Sequence, residues 1–404
     1  MKQKIWCAWL GVVICFSAAS CGIKELGKVE SDQTNGVWNG PAGSESVSGQ
    51  NVTYVSAFDY PDGYDWRSDP ERGTVRCSLV VFREGLPILK IPVGNEYNVS
   101  PDPDMHRIID GHLYTDFSTA SETIVKKDGK PLFSYPCPEM ICDFVVDNDD
   151  VHTLGHSRLG EGFTYRVNGE VVLERTSGYT FERIVLDESS VCIAFAEPIF
   201  STEGTVERYY IMKDGKVSQV ALRDDIKRVW DVAFHAGEVY YLASLTGVAS
   251  PVLVSEQGMT TLPLPSSLSL VTCRMQVLSD AIWVEGILSD GNQVQSVLWD
   301  NKRQCKTFPK GKTFAAFCQG GDVVHCTMNP ATEEGAGLIY RSGESLDMPL
   351  GYATMGRNAM SFSSGMLSVG LSSLNDGKPI LWVDGQIKKI DARGYISYVA
   401  SKEL

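Results

Sequence analysis

Short apolar runs alternate along this chain with two-residue turns that end in Gly, and one such phrase recurs throughout. It reads V-V-F-R-E-G at Val80–Gly85, I-V-K-K-D-G at Ile124–Gly129 and T-Y-R-V-N-G at Thr164–Gly169. It returns as Y-I-M-K-D-G ending at Gly215, V-L-V-S-E-Q-G at Gly258, V-L-W-D-N at Asn301, L-I-Y-R-S-G at Gly343 and L-W-V-D-G at Gly385. Successive spacings are 44, 40, 46, 43, 43, 42 and 42 residues. A period near 43 built from short strands is the signature of a β-propeller, in which each period supplies one four-stranded antiparallel blade. The pairs Asp-Gly, Asn-Gly and Ser-Gly suit the hairpin between third and fourth strands, because both central residues accept positive φ.

The segment Val229–Pro265 displays one whole blade. Val229–Phe234 reads as the inner strand, Ala236-Gly237 as a turn, and Glu238–Ser244, Pro251–Ser255 and Met259–Leu264 as the next three strands. Ile141–Arg175 repeats this order. Neither segment alternates cleanly between polar and apolar residues, as expected when neighbouring blades cover both faces of a sheet. The first repeat has a second strand at Val52–Phe58 but no inner strand before it, and one strand-like piece, Gly394–Ser401, is left after the last repeat. The predicted fold is therefore an all-β propeller of eight blades, with seven as the alternative count, in which the C-terminal strand completes the first blade and limits exposed edges.

The start of the chain departs from this pattern. Met1–Lys4 is basic, Ile5–Phe16 is apolar but too short to span a bilayer, and Ala18-Ala19-Ser20 precedes Cys21. This predicts a signal segment over 1–20, similar to a bacterial lipobox with Ala18 in place of the usual Leu, and lipidation of Cys21. Residues 21–50 are rich in Gly and Ser and predict a flexible tether with a reach of about 30 Å, leaving 51–404 as a single propeller domain. The formal charge of −14 would become about −16 once Lys2 and Lys4 are removed, which disfavours nucleic acid, whose phosphates require clustered Lys and Arg. Eight cysteines remain in the mature chain (Cys77, Cys137, Cys142, Cys192, Cys273, Cys305, Cys318, Cys326). They are scattered through strand-like runs, so buried thiols are at least as well supported as disulfides, with Cys137–Cys142 the nearest bridge.

Function should reside where the repeat is broken. In a four-stranded blade the second-to-third loops and the inter-blade connections share one face, and the longest of both belong to the first blade. Asp59–Pro70 and the following connection offer Tyr60, Asp62, Tyr64, Asp65, Trp66, Arg67, Tyr97, Asp102, Asp104 and His106 as candidate ligand-binding residues. Aromatic rings can stack on sugars or fill a partner's pocket while carboxylates orient the ligand; the same aromatics can also pack the loop on itself. Asp59, Asp62, Asp65 and Asp69 lack the D-x-D-x-D-G spacing of a calcium loop. His106, His112, His152 and His156 lie close in sequence, but strand-borne histidines here fit packing between blades better than a metal or base site. No G-x-S-x-G, H-E-x-x-H, C-x-x-C or P-loop occurs, so no catalytic residue, metal or cofactor is assigned.

A lipobox followed by eight such repeats resembles the propeller lipoproteins of the bacterial cell envelope, among them the eight-bladed lipoprotein subunit of the outer-membrane barrel-assembly machinery. Related quinone-dependent dehydrogenases repeat A-x-D-x-x-T-G-K-x-x-W; here the turns read K-D-G-K, V-N-G-E or V-D-G-Q with no regular Trp after them, so neither assembly role nor quinone is carried over. The resemblance implies a lipid-anchored envelope protein at the outer membrane, facing periplasm or exterior. The expected function is non-enzymatic binding or scaffolding of an envelope protein, peptide or glycan through the long-loop face. The alternative is a carbohydrate-active lyase or glycosidase using carboxylates or histidines at the channel mouth.

Overall fold

The computed structural model of the chain describes residues 37–38, 51–65, 77–93, 106–109, 112–118, 121–136, 139–157, 162–175, 181–187, 190–201, 204–213, 215–220, 223–265, 268–278, 281–300, 304–320, 323–330, 335–341 and 343–403. Among them every regular element is a strand, and the strands form eight antiparallel sheets arranged as an eight-bladed propeller. The inner strands of blades 2 to 7 are His106–Ile109, Glu139–Asp147, Phe181–Asp187, Ile226–His235, Ser269–Leu278 and Lys312–Gly320. In blade 8 the inner strand is split into Tyr352–Ala353 and Met360–Ser363, both paired with Met366–Ser373.

The C-terminal strand Gly394–Glu403 is the inner strand of blade 1, as the leftover repeat predicted. It pairs with Asn51–Asp59 from Asn51↔Glu403 to Asp59↔Gly394, with one irregularity between Ser56 and Ala57. Blade 8 is fitted closely against this strand. Asn358 leaves its own sheet to form a parallel bridge with Tyr398, and its carbonyl accepts the Val399 N–H at 2.8 Å. A Cβ on Gly370 would collide with Ile396, and one on Gly356 with the Ser397 carbonyl. The seam carries an apolar cluster of its own, in which Val55, Phe82, Ile396 and Val399 meet Leu381 and Ile390.

Signal segment 1–20 and Cys21 lie outside the described residues. Within the expected tether, Val37 and Trp38 are paired, to Lys90 and Leu89, as a fifth strand on the outer edge of blade 1. The cause is the length of that edge. Leu86–Val93 has eight residues, whereas the outer strands of blades 4, 5, 7 and 8 have four each, and a long unpaired edge is a template for further backbone pairing.

Burial follows the radius of the ring. The second strands of blades 1 and 8 are almost wholly buried, whereas the outer strands of blades 4, 5, 7 and 8 are exposed along their whole length. Blades splay apart as they leave the axis, so the second and third strands are packed by the neighbouring blades while the outermost strands face solvent. One apolar cluster fills each interface, for example Leu154, Phe163, Ile193 and Phe195 between blades 3 and 4. The core is thus eight wedges rather than one centre.

The recurrent turn does more than reverse the chain. Glu84-Gly85, Asp128-Gly129, Asn168-Gly169 and Asp384-Gly385 all have positive φ at both residues, from 46° to 90°, as a tight hairpin of this twist requires. In each, the residue before Gly donates its N–H to the carbonyl at the start of the blade's second strand: Thr53, Leu113, Val151 and Leu367 respectively. Its side chain then accepts the N–H of the same residue, at 2.6, 2.9, 2.9 and 3.1 Å. The side chains Glu, Asp and Asn recur here because one residue must supply both the turn and this acceptor.

Two outcomes test these contacts. Deleting residues 393–404 leaves Asn51–Asp59 without its partner; chemical denaturation followed by circular dichroism should show loss of cooperative unfolding, or the protein should aggregate. Asp384→Ala removes the acceptor and places Ala at positive φ, which should cost about 1–3 kcal/mol in urea unfolding, with Asp384→Asn recovering most of the loss.

Candidate binding face and central channel

The loop of blade 1 begins as an extension of its second strand. Asp59 accepts the Arg393 N–H at 3.0 Å, and the Tyr60 N–H donates to the Arg393 carbonyl at 2.7 Å. Tyr60 is only 3% exposed and sits among Phe58, Cys77 and Tyr395 in the blade 1 core. Its ring stacks on Tyr64 with centroids 5.5 Å apart, and Tyr64 is itself half-buried. The loop's first aromatics therefore cap the end of the blade, the self-packed arrangement that the sequence also allowed. Asp62 is exposed and ion-paired with Arg393, and Asp65 is exposed. Trp66, Arg67, Tyr97, Asp102 and Asp104 lie outside the described residues, as does the side chain of His106, whose backbone pairs with Thr115. On the loop face, then, Asp62 and Asp65 are exposed and Tyr60 is turned inward.

The central channel contains a feature that the sequence reading missed. Five consecutive inner strands carry a charge of alternating sign ahead of an apolar residue: Arg107-Ile108, Asp143-Phe144, Arg183-Ile184, Asp231-Val232 and Arg274-Met275. Arg107 of blade 2 pairs with Asp143 of blade 3 at 3.2 Å, and Arg183 of blade 4 with Asp231 of blade 5 at 3.3 Å. Each Asp also accepts the N–H of its own following residue, at 3.0 Å for Phe144 and 2.9 Å for Val232. Each then reaches forward to a backbone N–H of the next blade, Ile184 for Asp143 and Met275, at 2.7 Å, for Asp231. One carboxylate thus joins three blades, and the same device occurs twice around blades 2 to 6.

Glu285, on the second strand of blade 6, lies opposite Arg274 in the register. Burial pushes its carboxyl up to about 7, against the pull of Arg274 and of the Gln276 side chain, which donates to it at 3.4 Å. The raised value means that folding favours the protonated acid, so this group's contribution to stability is present below its unfolded value of 4.5 and is lost as pH rises through 7.

The histidines are held by neighbours. His112 Nδ1 is 2.7 Å from Asp128 and His152 Nδ1 is 2.7 Å from the Tyr165 hydroxyl, with burial lowering the His152 pKa. His325, which is buried, is lowered to about 4, first by desolvation and then by Arg341. Among the described residues no three His, Cys, Asp or Glu side chains converge to hold a metal ion. Cys77, Cys142, Cys192, Cys273, Cys305, Cys318 and Cys326 are free thiols. Cys142 donates to the Leu154 carbonyl at 3.0 Å, and its suggested partner Cys137 lies outside the described residues.

No known family profile matches the chain, and no curated protein sequence matches it. Solved propellers do resemble it. The β-propeller domain of the Trilobed protease from Pyrococcus furiosus, described as having an open velcro topology, gives a TM-score of 0.45 at 14% identity over 76% of this chain and 94% of that one. The acylaminoacyl peptidase of Pyrococcus horikoshii gives 0.47 at 11% identity over 81% and 57%. A post-proline cleaving enzyme from Rickettsia typhi gives 0.45 at 9% identity over 74% and 54%. This chain spans little more than half the length of those two enzymes. Such likeness concerns the propeller fold alone; the count of eight blades rests on the strand pairings.

Two substitutions probe the channel. Asp231→Ala leaves Arg183 without its partner and the Met275 N–H without an acceptor, and should cost about 3 kcal/mol or more in urea unfolding. Glu285→Gln should flatten the fall in stability between about pH 4.5 and pH 7, so that thermal unfolding finds it more stable than the parent above pH 7 and equal to it in acid.

Proposed function

We propose that this chain is a non-enzymatic binding or scaffolding propeller, tethered to a bacterial envelope membrane through lipid on Cys21, with the outer membrane as the preferred site. Its partner is an envelope protein, peptide or glycan, engaged through the face that carries the 59–70 loop and the 94–105 connection. The supporting observation is the commitment of the channel acids. Asp143 and Asp231 each serve one guanidinium and two backbone N–H groups, which leaves little capacity for general-base or nucleophilic work. Recognition then falls to the loops, where Asp62 and Asp65 face solvent.

Glu285 supports a second reading, a glycosidase, since a carboxyl held near 7 suits a general acid. That reading needs a second, unengaged carboxylate about 5–9 Å away.

Affinity capture from detergent-solubilised membranes with the full chain tests the proposal. A partner retained by the parent and reduced at least tenfold by the joint Trp66→Ala, Arg67→Ala and Tyr97→Ala substitution supports it. Retention unchanged by that substitution, or no retained partner, refutes it. Hydrolysis of a glycan that Glu285→Gln abolishes would instead establish the enzyme.

A further inference from the structure

The channel is uneven around its circumference. Blades 2 to 6 present the alternating charges, whereas blades 7, 8 and 1 present Phe317, Gln319, Ser361, Phe362 and Tyr398. Between these strands lies an open cleft of about 360 Å³, also bounded by Asn358, and none of its lining residues carries a formal charge. It exists because the inner strand of blade 8 is interrupted between Ala353 and Met360, where Asn358 turns aside to bridge Tyr398. It occupies the end at which the inner strands of blades 6 to 8 finish, opposite the 59–70 loop.

Its aromatic walls are held in place before any ligand arrives. Phe362 stacks on buried His325, with centroids 4.6 Å apart and planes 14° from parallel. It also lies so close to Gly320 that a Cβ there would collide with it. Phe317 packs on Phe314 at 5.0 Å, and the Tyr398 hydroxyl donates to the Ile108 carbonyl at 3.3 Å. Fixed rings, two side-chain amides and two hydroxyls, with no charge, form a distinctive set. Rings stack on the apolar C–H face of a pyranose, and amides match hydroxyls because the group can both donate and accept, although the Gln319 oxygen is itself enclosed. The lining itself supplies no counter-charge to a phosphate, carboxylate or ammonium group. The volume lies at the small end of ligand sites.

We propose that this cleft is a second binding site, separate from the long-loop face, for a neutral carbohydrate of one or two rings. Saturation-transfer NMR on the full chain tests it, with glucose, N-acetylglucosamine and cellobiose as probes and glucose 6-phosphate as the charged control. At about 10 mM, a site with Kd near 1 mM is mostly filled. At least one neutral sugar should show transfer, with glucose 6-phosphate at least tenfold weaker. Gln319→Ala and Gly320→Ala, the latter displacing Phe362, should each reduce the signal several-fold, while Val171→Ala, at an exposed position on the outer strand of blade 3, should leave it unchanged. Gln319 is half-buried and its truncation adds no clash, so its variant reports on the site even if Gly320→Ala unfolds the protein. Absence of transfer from all three neutral sugars, equal transfer from the phosphate, or full transfer in Gln319→Ala would overturn the proposal; loss in Trp66→Ala would assign sugar binding to the loop face instead.

Discussion

The ring holds together because its last strand returns to its first blade. Gly394–Glu403 pairs with Asn51–Asp59 along nearly its whole length, joining residues more than three hundred positions apart. Such a contact forms only after the entropy of closing a very long loop has been met, and it secures every other interface, since an open ring would expose the faces of blades 1 and 8. The seam is accordingly bonded from both sides. Ile396 N–H donates to Ser372 at 3.0 Å, Ser401 N–H to Ser361 at 2.9 Å, and the Tyr398 hydroxyl crosses to blade 2.

The remaining interfaces meet the same demand with different chemistry. Blades 2 to 6 are bridged at the axis by carboxylates that link three successive blades, whereas the neighbourhood of the seam relies on hydroxyls, backbone bridges and tightly placed glycines. Charge near a narrow axis must be paired to be tolerated, and paired charge has little left to offer a substrate. The neutral side of the channel is under no such constraint. There the interrupted strand of blade 8 leaves a cleft, so the same bridge between Asn358 and Tyr398 that secures the closure also shapes the proposed sugar site.

Some of this could be read from residue order and some could not. The turns were readable because positive φ favours Gly at their second position, most often after Asp, Asn or Glu, and the spare strand Gly394–Ser401 followed from counting them. The second task of Glu84, Asp128, Asn168 and Asp384, to bind the second strand of the blade, needed the folded hairpins. The alternation of Arg107, Asp143, Arg183, Asp231 and Arg274 is present in the text, but at intervals of 36, 40, 48 and 43 residues; loops of unequal length hide it until the strands are aligned around an axis. The aromatic loop misled in part. Tyr60 reads as an exposed ring in a polar segment, yet it follows directly on a buried strand and continues inward to Tyr395. The pairing of Val37–Trp38 was hidden because two residues on a sheet edge carry no periodic signal.

Hydrogen exchange of the native chain, followed by mass spectrometry, tests the closure most directly. If residues 394–403 are an integral inner strand, their amides and those of 51–59 exchange together, and only through global unfolding, in the slowest class with buried second strands such as Met366–Ser373. Exchange of 394–403 at the rate of a fraying terminus, while 366–373 stays protected, would contradict a ring closed by its last strand.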